Sequence, residues 1–131
     1  MNTTKKKNIL LVAYDEEEEL LLRLSLGELT GHFTCYAASN EKNVLAYLQQ
    51  HEADIIITDI CRKTYVNCKM IARVQKKYNI PVLILSSVET AKIRLIKQLY
   101  IIGYIYKDNC YMKWSMQLRK MLLFFLNYRA K

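Results

Sequence analysis

Short apolar runs alternate with segments of helical spacing along most of the chain. Runs with the length of buried strands occupy 8–14, 32–39, 54–59, 80–87 and 103–108, and helical spacing occupies 15–31, 41–53, 66–78, 89–102 and 110–129. Because several of these strands are wholly apolar, the pattern predicts an α/β domain in which helices cover both faces of a parallel sheet.

Local signals refine the predicted helices. Gly31 is placed to stop the first helix, and Ser39 or Asn40 is placed to cap the second. We expect apolar helix faces to be formed by these residues: Leu20, Leu21, Leu24 and Leu29 in the first helix, Val44, Leu45 and Leu48 in the second, and Met70, Ile71 and Val74 in the third.

Composition indicates one domain over residues 1–131, with a basic, flexible segment at 1–7. Apolar residues make up 52% of the 131 residues, which excludes disorder as the default. No apolar run approaches the roughly 20 residues that cross a bilayer, and no signal peptide is evident, so we expect a cytoplasmic protein without a membrane contact. The four cysteines form no C-x-x-C pair and are expected to be reduced thiols.

Charge is divided unevenly along the chain. Residues 1–54 carry a net charge of −4 and residues 55–131 a net charge of +12, which together give the +8 of the whole chain. A solvated basic face explains this excess most simply, and an acidic partner or a nucleic acid is the functional alternative. No basic run is longer than the three lysines at 5–7.

Four polar residues lie at the ends of four of the predicted strands. They are Asp15, Asp59, Ser86 and Lys107, and Glu16 comes directly after the first of them. Because the carboxyl ends of parallel strands meet at one edge of a sheet, we expect these side chains to converge there. Two carboxylates are suited to a hard dication such as Mg²⁺, a lysine and a hydroxyl to a phosphoryl group, and a carboxylate in such a site can act as a nucleophile.

These residues resemble the response-regulator receiver domain of two-component signalling over about residues 8–127. "DIIITDI" is similar to the family's phosphoacceptor strand, "IPVLILSS" to the strand that ends in a hydroxyl, and "GYIYKD" to the strand that carries a lysine. The separations of 44 residues from Asp15 to Asp59 and of 27 from Asp59 to Ser86 fit the family's spacing. The resemblance implies a flavodoxin-like, doubly wound sheet of five parallel strands in the order 2-1-3-4-5.

The resemblance also implies a role for each site residue. Asp59 would be the phosphoacceptor, Asp15 a direct Mg²⁺ ligand, and Cys61 would offer its backbone carbonyl to the metal beside Asp59 itself. Glu16 is a further candidate ligand.

The remaining roles concern the phosphoryl group and the output. Ser86 and Lys107 would bind the phosphoryl group, and Tyr104 would be the aromatic switch that follows Ser86. The domain would accept phosphate from a histidine kinase or a phosphotransfer protein and signal through the fourth helix, the fifth strand and the final helix. Its own catalytic activity would be limited to self-phosphorylation from small phosphodonors and slow autodephosphorylation.

Three positions depart from the family's pattern. Tyr14 stands where the family has an acidic residue that holds metal through water, so we expect weak Mg²⁺ binding, partly compensated by Glu16. Lys63 and Asn67 stand where the family has proline and glycine. These departures favour the alternative of a phosphorylation-independent pseudo-receiver that acts as a protein-binding module.

The final helix is apolar on much of its surface. About half of the set Trp114, Met116, Leu118, Met121, Leu122, Phe124, Phe125 and Tyr128 fits a core-facing stripe. The rest predicts a homodimer through the final helices or contact with an output domain or effector protein. We expect nucleic-acid binding only through an attached output domain.

Overall fold

Five parallel strands form one sheet in the order β2-β1-β3-β4-β5, as predicted. The computed structural model describes residues 7–13, 16–27, 31–60, 67–87, 100–108 and 110–130, with no description of the side chains of 67 and 126–130. The strands are β1 (Lys7–Val12), β2 (Phe33–Ala38), β3 (Ile55–Ile60), β4 (Val82–Ser86) and β5 (Ile101–Tyr106).

Four helices are described, two on each face of the sheet. They are α1 (Glu16–Ser25), α2 (Glu41–Gln50), α3 (Asn67–Tyr78) and α4 (Tyr111–Ala130). One apolar cluster joins the sheet to α2 and α3, and a second joins it to α1 and α4. The fold is therefore a doubly wound, flavodoxin-like α/β domain.

Successive side chains along a strand point to opposite faces of the sheet, so each strand contributes residues to both clusters. In β3, Ile56 and Ile60 belong to the α2–α3 cluster, whereas Ile55 and Ile57 belong to the α1–α4 cluster. Every residue of β3 and β4 is buried, which is why their sequences are continuous apolar runs rather than alternating ones.

Local signals explain where α2 begins. The Asn40 side chain accepts a hydrogen bond from the backbone N–H of Asn43 (2.8 Å), so Asn40 rather than Ser39 is the N-cap. His51 follows the helix at its C-cap, and its backbone N–H donates to Tyr47.

The start of β5 corrects one predicted boundary. Ile101 and Ile102 lie in β5, although their apolar spacing predicted the end of a helix at 89–102. The Gln75 side chain holds the entry to this strand, because its amide donates to the Tyr100 carbonyl (2.6 Å) and its oxygen accepts from the Tyr100 N–H (2.7 Å). Residues 89–99 of that predicted helix lie outside the described residues.

The apolar face predicted for α1 is wrong. Leu20, Leu21 and Leu24 are exposed, whereas Leu22, together with Leu26 beyond the helix end, faces the core. The helix also ends at Ser25 rather than running on to Gly31.

The expectation that about half of the eight apolar residues named in the final helix face the core is confirmed. Trp114, Leu118, Leu122 and Phe125 are buried in the α1–α4 cluster, whereas Phe124 is exposed. A Cβ at Gly103 of β5 would lie 2.6 Å from Sδ of Met121, so the missing side chain lets α4 pack close to the strand. Among the described helices, none is long and apolar enough to span a membrane.

Candidate functional site

Asp59 and Lys107 meet at the carboxyl edge of the sheet. Asp59 lies near the end of β3 and is 4% exposed, and Lys107 directly follows β5. The Lys107 Nζ donates a hydrogen bond to Oδ2 of Asp59 and forms an ion pair with it. The sequence predicted that Asp59 and Lys107 lie at one edge of the sheet, and in the structure this lysine, 48 residues further along the chain, is the partner of the buried carboxylate.

Two further contacts position Lys107. Its backbone N–H donates to the Ser86 carbonyl (2.7 Å), which extends the pairing of β4 and β5 by one residue. Its ammonium lies 5.8 Å from the centre of the Trp114 ring, within the range of a cation–π contact. Trp114 is buried and packs edge-on against Tyr111 at 5.0 Å.

Ser86 and Tyr104 lie on the other face of the sheet from the ion pair. Ser86 is fully buried at the end of β4 and shares the side of Val82 and Ile84, which belong to the α2–α3 cluster. Tyr104 is partly buried against this same cluster, and its register partner is Ile84. The predicted switch hydroxyl and switch ring are thus on one side of the sheet, two register positions apart.

The β1 side of the site is only partly described. Glu16 is exposed at the first position of α1, and the Thr58 hydroxyl donates to the Val12 carbonyl (3.1 Å), which ties the ends of β3 and β1 together. The predicted metal ligands Asp15 and Cys61 lie outside the described residues, as do the departures Tyr14 and Lys63. Among the described residues, no three His, Cys, Asp or Glu side chains group in a way that could hold a metal ion.

The metal ligands that the family resemblance implies are oxygen atoms, which are the ligand type that Mg²⁺ prefers. Asp59 offers a carboxylate at the edge of the sheet where β1 leads into α1, and carboxylate and carbonyl oxygens are the ligands that Mg²⁺ takes. Two members of that set, Asp59 and Glu16, are among the described residues, and Glu16 lies at the start of α1, just after β1.

Two polar residues near the site were not assigned a role from the sequence. Asp108 accepts a hydrogen bond from the Cys110 N–H (2.9 Å) and its other oxygen lies 3.4 Å from Nζ of Lys113, so it forms a turn that leads into α4. The signal for this turn was an aspartate just before a predicted helix. Trp114 was assigned only to an apolar stripe, and nothing in that periodicity indicated its contact with Lys107.

Burial makes two of the described cysteines, Cys35 and Cys68, poor nucleophiles. Burial raises the pKa of the Cys68 thiol to about 11, and burial also raises the pKa of Cys35. Both thiols therefore stay protonated at neutral pH, whereas Cys110 is exposed at the start of α4.

This difference predicts selective alkylation. With a maleimide at neutral pH, Cys110 should react much faster than Cys68, because Cys110 is exposed, whereas Cys68 is buried and its raised pKa lowers the fraction of thiolate, the reacting form. The Cys68 rate should rise as the pH approaches its pKa of about 11. Peptide mapping by mass spectrometry measures both rates in one sample, and equal rates at neutral pH would show that Cys68 is accessible.

Comparison with solved structures places this geometry in a known fold. A signal receiver domain of an HD domain-containing protein from Pseudomonas fluorescens has a TM-score of 0.75 at 22% identity, with 100% of this chain and 97% of that chain covered. The chain has the fold of a response-regulator receiver domain.

Two other solved structures show the same fold. The phosphorylated cyanobacterial phytochrome response regulator RcpA has a TM-score of 0.74 at 20% identity, over 93% of this chain and 95% of that one. The response regulator TrrA from Thermotoga maritima, in complex with Mg²⁺ and beryllofluoride, has a TM-score of 0.67 at 18% identity, over 88% and 98%. No protein-family model matches the sequence, and no curated protein matches it.

Proposed function

We propose that this receiver fold accepts a phosphoryl group on Asp59 from a phosphohistidine of a histidine kinase or a phosphotransfer protein. In this step a carboxylate oxygen of Asp59 bonds to phosphorus while the bond from phosphorus to the histidine nitrogen breaks. The product is an acyl phosphate, which water later hydrolyses to phosphate and free Asp59. The observation that carries the proposal is the buried pair of Asp59 and Lys107 at the sheet edge of a receiver fold.

Each described residue has a defined task in this step. Lys107 neutralises the carboxylate before transfer and can then pair with the phosphoryl oxygens, since its ammonium keeps three donors. Its N–H bond to Ser86 and its contact with Trp114 hold it at the edge. Ser86 shares the α2–α3 side of the sheet but ends β4 at the same edge as Asp59, and its hydroxyl would bind a phosphoryl oxygen at that edge.

Mg²⁺ is part of the proposal. The ion would be held by Asp59, Asp15 and the Cys61 carbonyl, and Glu16 is a further candidate ligand. It would offset the negative charges of the phosphodonor and of the Asp59 carboxylate. The Thermotoga protein in complex with Mg²⁺ and beryllofluoride supports this assignment by its shared fold.

Incubation with acetyl phosphate tests the proposal. We expect the intact mass of the wild-type chain to rise by one phosphoryl group in the presence of Mg²⁺ and to rise much less with a chelator. The absence of any gain under both conditions would instead favour the pseudo-receiver that signals by contact alone, in agreement with Tyr14, Lys63 and Asn67.

Tyr14→Asp is predicted to tighten Mg²⁺ binding about tenfold, or about 1.4 kcal/mol, because it restores a carboxylate beside Asp15 and Asp59. Isothermal titration with Mg²⁺ measures the gain. Tyr14→Asn is the matched control, since asparagine has the same shape as aspartate but carries no charge. Equal affinity in wild type and Tyr14→Asp would mean that position 14 does not face the metal.

The signal would leave through the edge of the sheet at β5, where Tyr104 packs on the α2–α3 side and α4 covers the other side. Tyr104 lies two register positions from Ser86 on the same face of the sheet, so a hydroxyl drawn toward phosphate would change the space for the ring. A groove of about 450 Å³ lies at the start of β5 beside α4, and Ile102 of β5 and Phe124 of α4 are among the residues that line it. The partner on this surface would be an effector protein, an output domain or a second copy.

Beryllofluoride, which mimics the phosphoryl group, is predicted to change the self-association of wild type but not of Tyr104→Ala. A differential free energy of about 1–3 kcal/mol is enough for such a switch. Sedimentation velocity with and without beryllofluoride measures it in both proteins. The same association constant in all four samples would show that this surface is not the output, or that the chain does not switch.

We further propose that the domain acts in the cytoplasm. Any contact with nucleic acid would be made by an attached output domain.

A further inference from the structure

A groove of about 640 Å³ lies between α3 and the residue that precedes β5. Among the described residues, its lining combines three basic side chains of α3, Lys69, Arg73 and Lys76, with the ring of Tyr100. None of the described residues that line it belongs to the candidate phosphorylation site. Its volume is within the range of sites that bind small molecules, so the chemistry of its lining decides which ligand it fits.

The charge of α3 is one-sided. Its twelve residues include four basic side chains and no acidic one. Lys76 and Lys77 lie in the last turn, where the helix dipole favours a cation, but Lys69 lies in the first turn, where the dipole disfavours one. Helix stability therefore does not explain Lys69. Lys69 and Lys76 lie on one face of the helix, about 10 Å apart along its axis.

The basic residues of the groove differ in their partners. The Arg73 guanidinium donates to both carboxylate oxygens of Glu41 on α2 (3.1 and 2.6 Å), so it forms a fixed wall. Lys69 and Lys76 are exposed and have no acidic partner within the described part of the chain. These two ammonium groups are available to an anionic ligand.

The ring of Tyr100 projects from a fixed backbone. The buried Gln75 side chain donates to the Tyr100 carbonyl (2.6 Å) and accepts from its N–H (2.7 Å), and the Val82 N–H donates to the same carbonyl (3.3 Å). The Tyr100 side chain nevertheless is largely in solvent, since the residue is 62% exposed. An aromatic ring held in this way loses little conformational freedom when a planar ligand stacks on it.

We propose that this groove binds a nucleoside di- or triphosphate, with the base against Tyr100 and the phosphates on Lys69 and Lys76. Asn79 lines the groove and offers an amide that can both donate to and accept from the edge of a base. A purely anionic ligand would leave the ring unused, and a purely apolar ligand would leave both ammonium groups unused. A nucleotide joins a planar aromatic group to several negative charges, which matches both parts of the lining.

This binding goes beyond the proposed phosphoryl transfer and does not depend on it. Every measurement below uses EDTA and no phosphodonor, so that no Mg²⁺ can hold a nucleotide near Asp59. The outcome is therefore separate from the outcome of the phosphorylation test.

Isothermal titration compares whole nucleotides with their parts. We expect ATP and GTP to bind at one site per chain. Adenosine, which lacks the phosphates, and pyrophosphate, which lacks the base, should each bind at least about tenfold more weakly than ATP. Added salt should weaken ATP binding, because the two lysines are exposed.

Two matched pairs of variants locate the site. Tyr100→Leu should weaken ATP binding about fivefold or more, whereas Tyr106→Leu, at the other end of β5 and 50% exposed, should leave it within about twofold. Lys76→Gln should weaken binding about threefold or more, and Lys113→Gln, on a helix of the opposite face of the sheet, within about twofold. Circular dichroism verifies that all four variants fold.

Three results would overturn the proposal. One is the absence of saturable binding of ATP and GTP to the wild-type chain. Another is pyrophosphate that binds as tightly as ATP, which would show a site for anions in general. The third is a pair of groove variants that bind ATP no more weakly than their controls.

Discussion

Lys107→Met is expected to lower the free energy of unfolding by about 2–4 kcal/mol, because it leaves the buried Asp59 carboxylate without its lysine. The Lys107 side chain is 18% exposed and that of Asp59 only 3%, so water can compensate the lysine more readily than the carboxylate. Most of the lost stability therefore comes from burying the Asp59 carboxylate without its lysine. Urea denaturation with linear extrapolation measures it.

Two further variants separate the ion pair from the general effect of removing a lysine. Lys113→Met removes a lysine that is 67% exposed and lies 3.4 Å from Asp108, and it should change stability by no more than about 0.5 kcal/mol. Asp59→Asn combined with Lys107→Met should recover much of the loss, since the buried charge is then gone. Equal stability of the Lys107→Met and Lys113→Met variants would show that the ion pair does not stabilise the fold.

The parallel sheet follows from features that the sequence displays directly, whereas its strand order was predicted from the resemblance to receiver domains. β3 and β4 are buried on both faces, so their apolar runs are continuous and their parallel pairing could be predicted. The N-cap at Asn40 was predicted as one of two neighbouring residues because both have a side chain that can accept from the first turn.

Boundaries and helix faces were harder to predict, for two physical reasons. Leucines at 20, 21, 22, 24 and 26 surround the axis of α1, so periodicity does not single out the face with Leu22 as the buried one. Ile101 and Ile102 continue a helical pattern, and only their pairing with β4 and the clamp of Gln75 on Tyr100 assign them to a strand.

The sequence predicted which residues form the candidate site better than it predicted how they are arranged. Asp59 and Lys107 were expected at one edge, and the structure confirms that they meet there. Sequence spacing could not show that Trp114 lies against Lys107, or that Ser86 and Tyr104 share the opposite face, because these contacts depend on strand register and on the packing of α4. The roles of Asp15, Cys61 and Glu16 as ligands stay predictions.

Asp59→Asn is expected to abolish phosphoryl transfer from acetyl phosphate, because an amide is neutral and lacks the nucleophilic carboxylate oxygen. The loss should be complete, whereas changes at Ser86 or Lys107 should only slow the reaction. Asp108→Asn is the matched control: it alters another carboxylate near the same edge, which is engaged with Cys110 and Lys113. It should be modified like the wild type.

The most direct measurement identifies the modified residue itself. Sodium borohydride reduces an aspartyl phosphate to homoserine, which peptide mass spectrometry locates in the sequence. After treatment with acetyl phosphate and Mg²⁺, the wild-type chain should contain homoserine at position 59, and the Asp59→Asn variant should contain none. Homoserine at another position, or its absence from the wild type, would contradict the assignment of Asp59 as the phosphoacceptor.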